Sequence, residues 1–259
     1  MEGRGPIRGD EAPRITFRVT VSTSKEPARI AGMFDAIARR YDALNHLLSA
    51  GLDRRWRRRA VAAMALGGGE RVLDVCCGTG DLAIAAATSA SGRPGEIVAL
   101  DFAGEMLRFA KDKLRRLSLA DRVRLVRADA TRLPLPSSSV DAAMIAFGIR
   151  NVVDPSRACR ELHRVMRDDG RLMILEFGMP RIPGIRAAYR AYFRHLLPRV
   201  GGLVSKHGDA YSYLPASVDE FPSPQAFAAM LAQCGFTGVE HRSMTFGIAS
   251  IFLGRKPAG

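Results

Sequence analysis

From Ala28 onward, apolar residues recur at helical spacing: Ile30, Met33, Phe34, Ile37, Tyr41, Leu44 and Leu48 fall three and four apart, which predicts an amphipathic helix with one apolar face. A second short helix is predicted over 54–64, where Arg54, Arg55, Arg57, Arg58 and Arg59 surround Trp56, the only tryptophan. The period then changes. Short apolar runs at 71–76, 96–100, 123–128, 142–147 and 171–177 read as buried strands separated by helical stretches. A glycine turn and an Ala-rich helix follow the first run, and a helix reaching Leu117 follows the second. The helix between the fourth and fifth runs has Asp154 as its cap and Pro155 in its first turn. Apolar strands alternating with helices predict an α/β fold whose parallel sheet is covered on both faces. After Gly178 the alternation stops, and 179–222, rich in Arg, Tyr, Gly and Pro, reads as an insertion of the kind that shapes a substrate pocket. Ser223 and Pro224 open a last helix closed by Gly235, and VEHRSM with GIASIFLGRK reads as a terminal strand pair.

Composition narrows the class. At 259 residues, 47% hydrophobic and 25% charged, the chain is long enough for a full core, and no apolar run approaches the roughly 20 residues that cross a bilayer. Residues 1–27 mix Gly, Pro and both charge signs and are expected to form a mobile basic tail before one domain over 28–259, with a helical part at 28–66. Lys and Arg number 39 against 26 Asp and Glu, a balance that attracts anions. The arginines at 54–59 admit two readings, a solvated helix face or contact with an anionic membrane surface. No RNA or DNA module and no aromatic stacking array accompanies them, so nucleic acid is not an expected partner. Cys76, Cys77, Cys159 and Cys234 have neither metal-ligand nor disulfide-framework spacing, which argues for reduced core thiols, a cytoplasmic setting and no metal.

The chemistry concentrates at LDVCCGTGDLA, where Gly78, Gly80 and Ala83 form a G-x-G-x-x-A turn between a strand and a helix. That pattern alone fits a dinucleotide fold or a methyltransferase. Asp74 discriminates: a carboxylate beside the turn repels a pyrophosphate but suits the ammonium and sulfonium of S-adenosylmethionine. Asp101, after the second strand, can accept both ribose hydroxyls, with helix capping as the alternative role. Asp129, after the third, can take an adenine amino group beside the Ala130 N–H, again with capping as the rival. All three acids stand at carboxyl ends of successive predicted strands, the rim where open parallel sheets bind ligands.

Several motifs go beyond this general pattern. YDALNHLLSAGLDRRW, DVCCGTGDLA, FGIRNVVD, ELHRVMRDDGRLMILEF, YSYLPASV and the closing FGIASIFLGRK resemble the quinone-biosynthesis C-methyltransferases that act on demethylmenaquinone and on a ubiquinone precursor, over roughly 28–256. The resemblance implies a class I methyltransferase sheet of seven mostly parallel strands with the last reversed. It also implies S-adenosylmethionine as cofactor, contacts to it from Thr79, Asp101, Asp129 and Ala130, a prenylated quinol as substrate, and peripheral contact with the inner face of the membrane. Asp53 stands where the family usually has His, and Ala146 where some members carry a cofactor-contacting Ser. Oligomeric state is not fixed by any of these motifs.

Methylating a quinol ring carbon calls for polarisation of a ring hydroxyl and an in-line approach in a dry pocket. Arg150 and Asn151, just beyond the fourth strand, are the candidates for that polarisation, against an ion pair and a turn cap as alternatives. Tyr211 and Tyr213 are assigned to the substrate side, with core packing as the rival. His163, His195, His207 and His241 are chemically competent bases, although His163 sits within an amphipathic helix where a structural role is expected. The competing functions are an NAD-dependent oxidoreductase, which Asp74 disfavours, and a noncatalytic basic binding protein.

Overall fold

Along each central strand, alternate side chains enter opposite cores. In the computed structural model, which describes residues 27–90, 92–192 and 209–259, Val72 packs with Trp56, Leu82 and Leu114 on one face, while Leu73 and Val75 pack with Leu162, Phe227 and Leu231 on the other. The strands are β1 (Arg71–Val75), β2 (Glu96–Asp101), β3 (Val123–Arg127), β4 (Val140–Ala146), β5 (Met166–Phe177), β6 (Thr237–Met244) and β7 (Ala249–Arg255). They form one sheet in the order β3-β2-β1-β4-β5-β7-β6, with β7 antiparallel to both neighbours. The expected seven-stranded α/β sheet with its last strand reversed is therefore present.

The α-helices among the described residues are α1 (Pro27–Leu48), α2 (Leu52–Ala63), α3 (Asp81–Ala87), α4 (Gly104–Arg116), α5 (Pro155–Val165), α6 (Pro183–Ala191), α7 (Asp209–Asp219) and α8 (Pro224–Gln233). Two starts are as expected: Asp154 accepts the Arg157 N–H at 2.8 Å, and Ser223 accepts the Ala226 N–H at 3.3 Å. No described helix is long and apolar enough to cross a membrane.

Three boundaries differ from expectation. β5 begins at Met166 rather than Arg171, because Met166 pairs with Val140 before a bulge hidden in sequence by the polar run MRDDG. Gly170 allows that bend, since a Cβ there would lie 2.6 Å from the Arg167 carbonyl oxygen. α2 starts at Leu52, two residues before the arginine run. The stretch 179–222 contains α6 and α7, while the expected tail up to residue 26 and His195 and His207 lie outside the described residues.

α1 leans on α4 rather than on the sheet. Ala38 packs against Ala103 and Met106, with Phe34, Tyr41 and Phe109 around them. Further along, Leu44 meets Val218 of α7 beside Leu48, Phe177 and Tyr192. α1 thus spans the carboxyl ends of the strands.

Candidate active site

Two cavities open at that rim. The first, about 320 Å³, is lined by Asp74, Gly78, Thr79, Asp101, Asp129 and Ala130 together with Asp81, Phe34, Tyr41, Arg57, Phe147 and Asn151. Parallel register delivers two of the three sequence-predicted acids, Asp74 opposite Ala99 within the β1–β2 ladder and Asp101 at the end of β2 opposite Arg127, and Asp129 follows two residues past the end of β3. Backbone at the exits of β1 and β4 is forced into the left-handed region at Cys76 (φ 57°) and Phe147 (φ 59°). Gly148 follows because a Cβ there would collide with that of Cys76. Gly78 (φ 55°) and Gly80 (φ 84°) turn the chain into α3.

The acids differ in state. Asp74 is completely buried, neither oxygen has a hydrogen-bond partner among the described residues, and burial pushes its carboxyl well above the ordinary range, against a weaker downward pull from the Ala83 N–H, which falls short of a hydrogen bond. Asp101 accepts the Gly78 N–H at 2.8 Å and the Ala103 N–H at 2.9 Å, yet burial outweighs these bonds and its carboxyl is also raised. Asp101 therefore braces the glycine turn while lining the cavity. Asp129 is exposed, and its Oδ1 accepts both the N–H (2.7 Å) and hydroxyl (2.9 Å) of Thr131, an Asx turn that uses one oxygen and leaves the other.

A charged network ties α1 to this cavity. Lys113 Nζ lies 2.5 Å from Asp42, 2.6 Å from Asp81 and 3.2 Å from the Thr79 hydroxyl, which itself donates to Asp42. His46 Nδ1 lies 2.8 Å from Asp53, and Arg57 pairs tightly with the same carboxylate. Burial acts to raise both acids, but the Ser49 hydroxyl and Arg57 hold Asp53 low, and Arg57 and Lys113 hold Asp81 low. The residue at 53 thus joins a histidine supplied by α1 to Arg57 of α2. His46, Asp53 and Asp81 converge within 4.8 Å, but Arg57 already occupies their shared ground, which is unsuited to a metal ion.

The second cavity, about 300 Å³, is apolar and aromatic. It is bounded by Leu44, Leu48, Trp56, Phe177, Tyr189, Tyr192, Tyr213 and Ile248, and shares Phe34, Tyr41, Arg57 and Phe147 with the first. Phe147 stacks on Phe177 with centroids 4.2 Å apart, and the Trp56 N–H donates to the Thr245 hydroxyl at 2.9 Å. The Tyr213 hydroxyl is buried without a partner among the described residues. Tyr211 belongs to α7, but its side chain lies outside the described residues.

Arg150 and Asn151, expected to work together, are separated. Arg150 lines the aromatic cavity and Asn151 the polar one. Arg150 is buried, donating to the fully buried Glu176 at 2.6 Å, to the Phe147 carbonyl at 2.5 Å and to the Ser217 hydroxyl at 3.3 Å. The ion pair weighed as the alternative is therefore present, and it offsets much of the charge available for polarising a substrate. Asn151 keeps a buried, unpartnered Oδ1. His163 packs edge-on to Phe236 beneath Gly235, and His241 contacts Ser250; neither lines either cavity. Sequence reasoning missed Arg57, Tyr41, Phe34 and Phe147 as the shared wall. The available signal was the i,i+4 spacing of Asp53 and Arg57 beside Trp56 and the aromatic members of the α1 stripe.

Comparison with known proteins identifies the family and the fold. The family model described as ubiE/COQ5 methyltransferase family matches residues 21–256. The ubiquinone/menaquinone biosynthesis C-methyltransferase UbiE of Citrifermentans bemidjiense is 46% identical over 235 residues, 90% of this chain and 98% of that one. The demethylmenaquinone methyltransferase of Thermus thermophilus is 47% identical over 225 residues, 87% of this chain and all of that one. A solved S-adenosylmethionine-dependent methyltransferase from Aquifex aeolicus shares the fold at TM-score 0.56 and 19% identity, over 77% of this chain and 89% of its own. The oxidoreductase alternative finds no support among these relatives. With the sheet order, the acid-lined rim and a family match across nearly its whole length, the chain belongs to the ubiE/COQ5 methyltransferase family and is an S-adenosylmethionine-dependent C-methyltransferase.

Proposed function

We propose that the protein methylates a ring carbon of a prenylated quinol, converting demethylmenaquinol to menaquinol. The observation that carries this is the meeting of a carboxylate-lined cavity and an aromatic one at a single wall of Phe34, Tyr41, Arg57 and Phe147. A cationic, ribose-bearing cofactor suits the first, where Asp74 lacks any partner, and a flat apolar ring suits the second. Relatives named for both ubiquinone and menaquinone biosynthesis supply a second substrate, a demethylated benzoquinol precursor.

S-adenosylmethionine supplies an electrophilic methyl group when bound. In this assignment Asp101 accepts the ribose hydroxyls, Asp129 and the Ala130 N–H take the adenine edge, and the Gly78–Thr79–Gly80 turn lets backbone approach. Asp74 suits the cationic end, since a cation beside it favours the ionised form that burial disfavours. Asn151 borders the cofactor rather than the quinol. Arg150 and Tyr213 face the quinol, where the guanidinium can favour phenolate character and the phenol can orient a ring oxygen. The aromatic wall excludes water and holds the ring in line.

A lipid substrate also requires access to a bilayer. Arg54, Arg55, Arg58 and Arg59 lie on the exposed face of α2, none in an ion pair among the described residues, and support peripheral, salt-sensitive contact with anionic lipid. Labelled cofactor offered with each quinol tests the reaction, and calorimetry with S-adenosylhomocysteine tests the site. Asp101→Ala is expected to lose about 1–3 kcal/mol of affinity while remaining folded. Unchanged affinity would remove the ribose assignment.

A further inference from the structure

The first cavity poses a charge problem. Its lining includes five acids, Asp74, Asp81, Asp101, Asp129 and Asp154, of which Asp81 is held low by Arg57 and Lys113 while burial raises Asp74 and Asp101. The proposed cofactor carries an amino-acid carboxylate of its own, which that field repels unless a cation meets it. Only two described cations line the cavity, Arg57 and Arg157. Arg157 donates to the Thr131 carbonyl at 3.1 Å, beside the Asp129 turn, which is the adenine end of the proposed site. Lys113 is close, but its three N–H donors are taken by Asp42, Asp81 and Thr79.

We propose that Arg57 is the clamp for the cofactor's amino-acid carboxylate. Its Nη1 serves Asp53 and lies 3.7 Å from Asp81, while no bond is made by Nε or Nη2 among the described residues. Those two groups form one edge of the guanidinium, the fork that takes a carboxylate through two parallel hydrogen bonds. The side chain is held in place from beneath by Phe147, 5.3 Å from its centre, and by the tight pair with Asp53, so little freedom is lost on binding. Asp74 complements it, as a buried and unpartnered acid whose ionisation responds to Arg57. An acid and a guanidinium are what a zwitterionic amino-acid group needs. The aromatic cavity, which Arg57 also touches, already has Arg150 and receives a substrate that is neutral before reaction.

This rests on assigning the polar cavity to the cofactor, and the test separates the two. Binding of S-adenosylhomocysteine and of its analogue lacking the α-carboxyl group is measured by calorimetry on wild type and Arg57→Met. Loss of a charge-assisted bidentate contact should weaken S-adenosylhomocysteine about thirtyfold or more in the variant. The decarboxylated analogue should bind both proteins within about threefold, because the contact is absent from both complexes. Arg57→Lys should recover part of the loss for the carboxylate ligand only. Should Arg57→Met strand Asp53 and fail to fold, the same pair of ligands is applied to Asp53→Asn with Arg57→Met. Equal weakening of both ligands overturns the proposal in favour of a purely structural role, and unchanged binding of both overturns it outright. If Asp101→Ala leaves affinity untouched as well, the cavity assignment itself has failed; if Asp101→Ala weakens binding and the Arg57 variant shows no preference between ligands, only the clamp has.

Discussion

The two cavities at the sheet rim are built by different means. The polar one is delivered by strand register: each of β1, β2 and β3 brings an acid to its carboxyl end, and the glycine turn brings backbone. The aromatic one is delivered by packing, from α1, α2, α6, α7 and the turn before β7, elements separated by more than a hundred residues of chain. Register is enforced along a whole hydrogen-bonded ladder, so its products are local and repeatable. Packing depends on many weak contacts, so it shapes a site for one substrate without changing the frame. The polar cavity therefore follows from the fold, and the aromatic one from how the helices pack over it.

This contrast breaks most visibly at Arg150. Removing one member of a buried pair strands the other charge, and Arg150→Ala is expected to cost about 3–5 kcal/mol in chemical denaturation. Arg150→Met combined with Glu176→Gln should regain most of that stability. Single-turnover methyl transfer by the folded double variant then isolates chemistry, with a drop of about a hundredfold expected for a lost electrostatic stabiliser. A wild-type rate would leave Arg150 a packing residue.

Asp74 is expected to have a smaller effect, and on the other cavity. Asp74→Asn should weaken S-adenosylhomocysteine by about 2 kcal/mol, the scale of an interaction with a charged partner. Burial raises the folded-state pKa of Asp74 above its unfolded value, so its contribution to stability is fully present below the unfolded pKa and is lost as pH rises through the folded one. The Asn variant should accordingly gain stability over wild type towards alkaline pH. A bound cation favours the ionised acid, so cofactor binding should release a proton and tighten as pH rises. Binding heats that are identical in buffers of different ionisation enthalpy would contradict this.

Tyr213→Phe gives the smallest expected change. Its hydroxyl has no partner among the described residues, and if it meets a quinol oxygen the variant should raise the quinol KM about fivefold, with S-adenosylhomocysteine affinity and stability unchanged. A shift in cofactor affinity would mean that the cavities are less independent than their construction implies.

Much of this is legible in the sequence. Periodicity marks the strands, Asp154 and Ser223 mark the helix starts, and Asp74, Asp101, Asp129 and the Gly78–Gly80 turn mark the rim. The errors have separate local causes. The start of β5 is concealed because a bulge reverses the side-chain alternation on which strand reading depends. Arg150 and Asn151 are neighbours in sequence, but a short 3-10 turn over Ile149–Asn151 sends them into different cavities. Asp101 is both turn brace and cavity wall, a combination that a choice between two roles does not anticipate.

By itself the sequence determined the features that local order sets: a period of two or 3.6, a glycine where φ must be positive, an acid at the end of a strand. Those features are fixed within a few residues and survive any detail of packing. Which of five clustered arginines turns inward, which carboxylate neutralises Arg150, and which aromatics from α1 and the exit of β4 close one wall were decided only in three dimensions. Charge and burial act through distance, and distance between remote elements is a property of the packed chain alone.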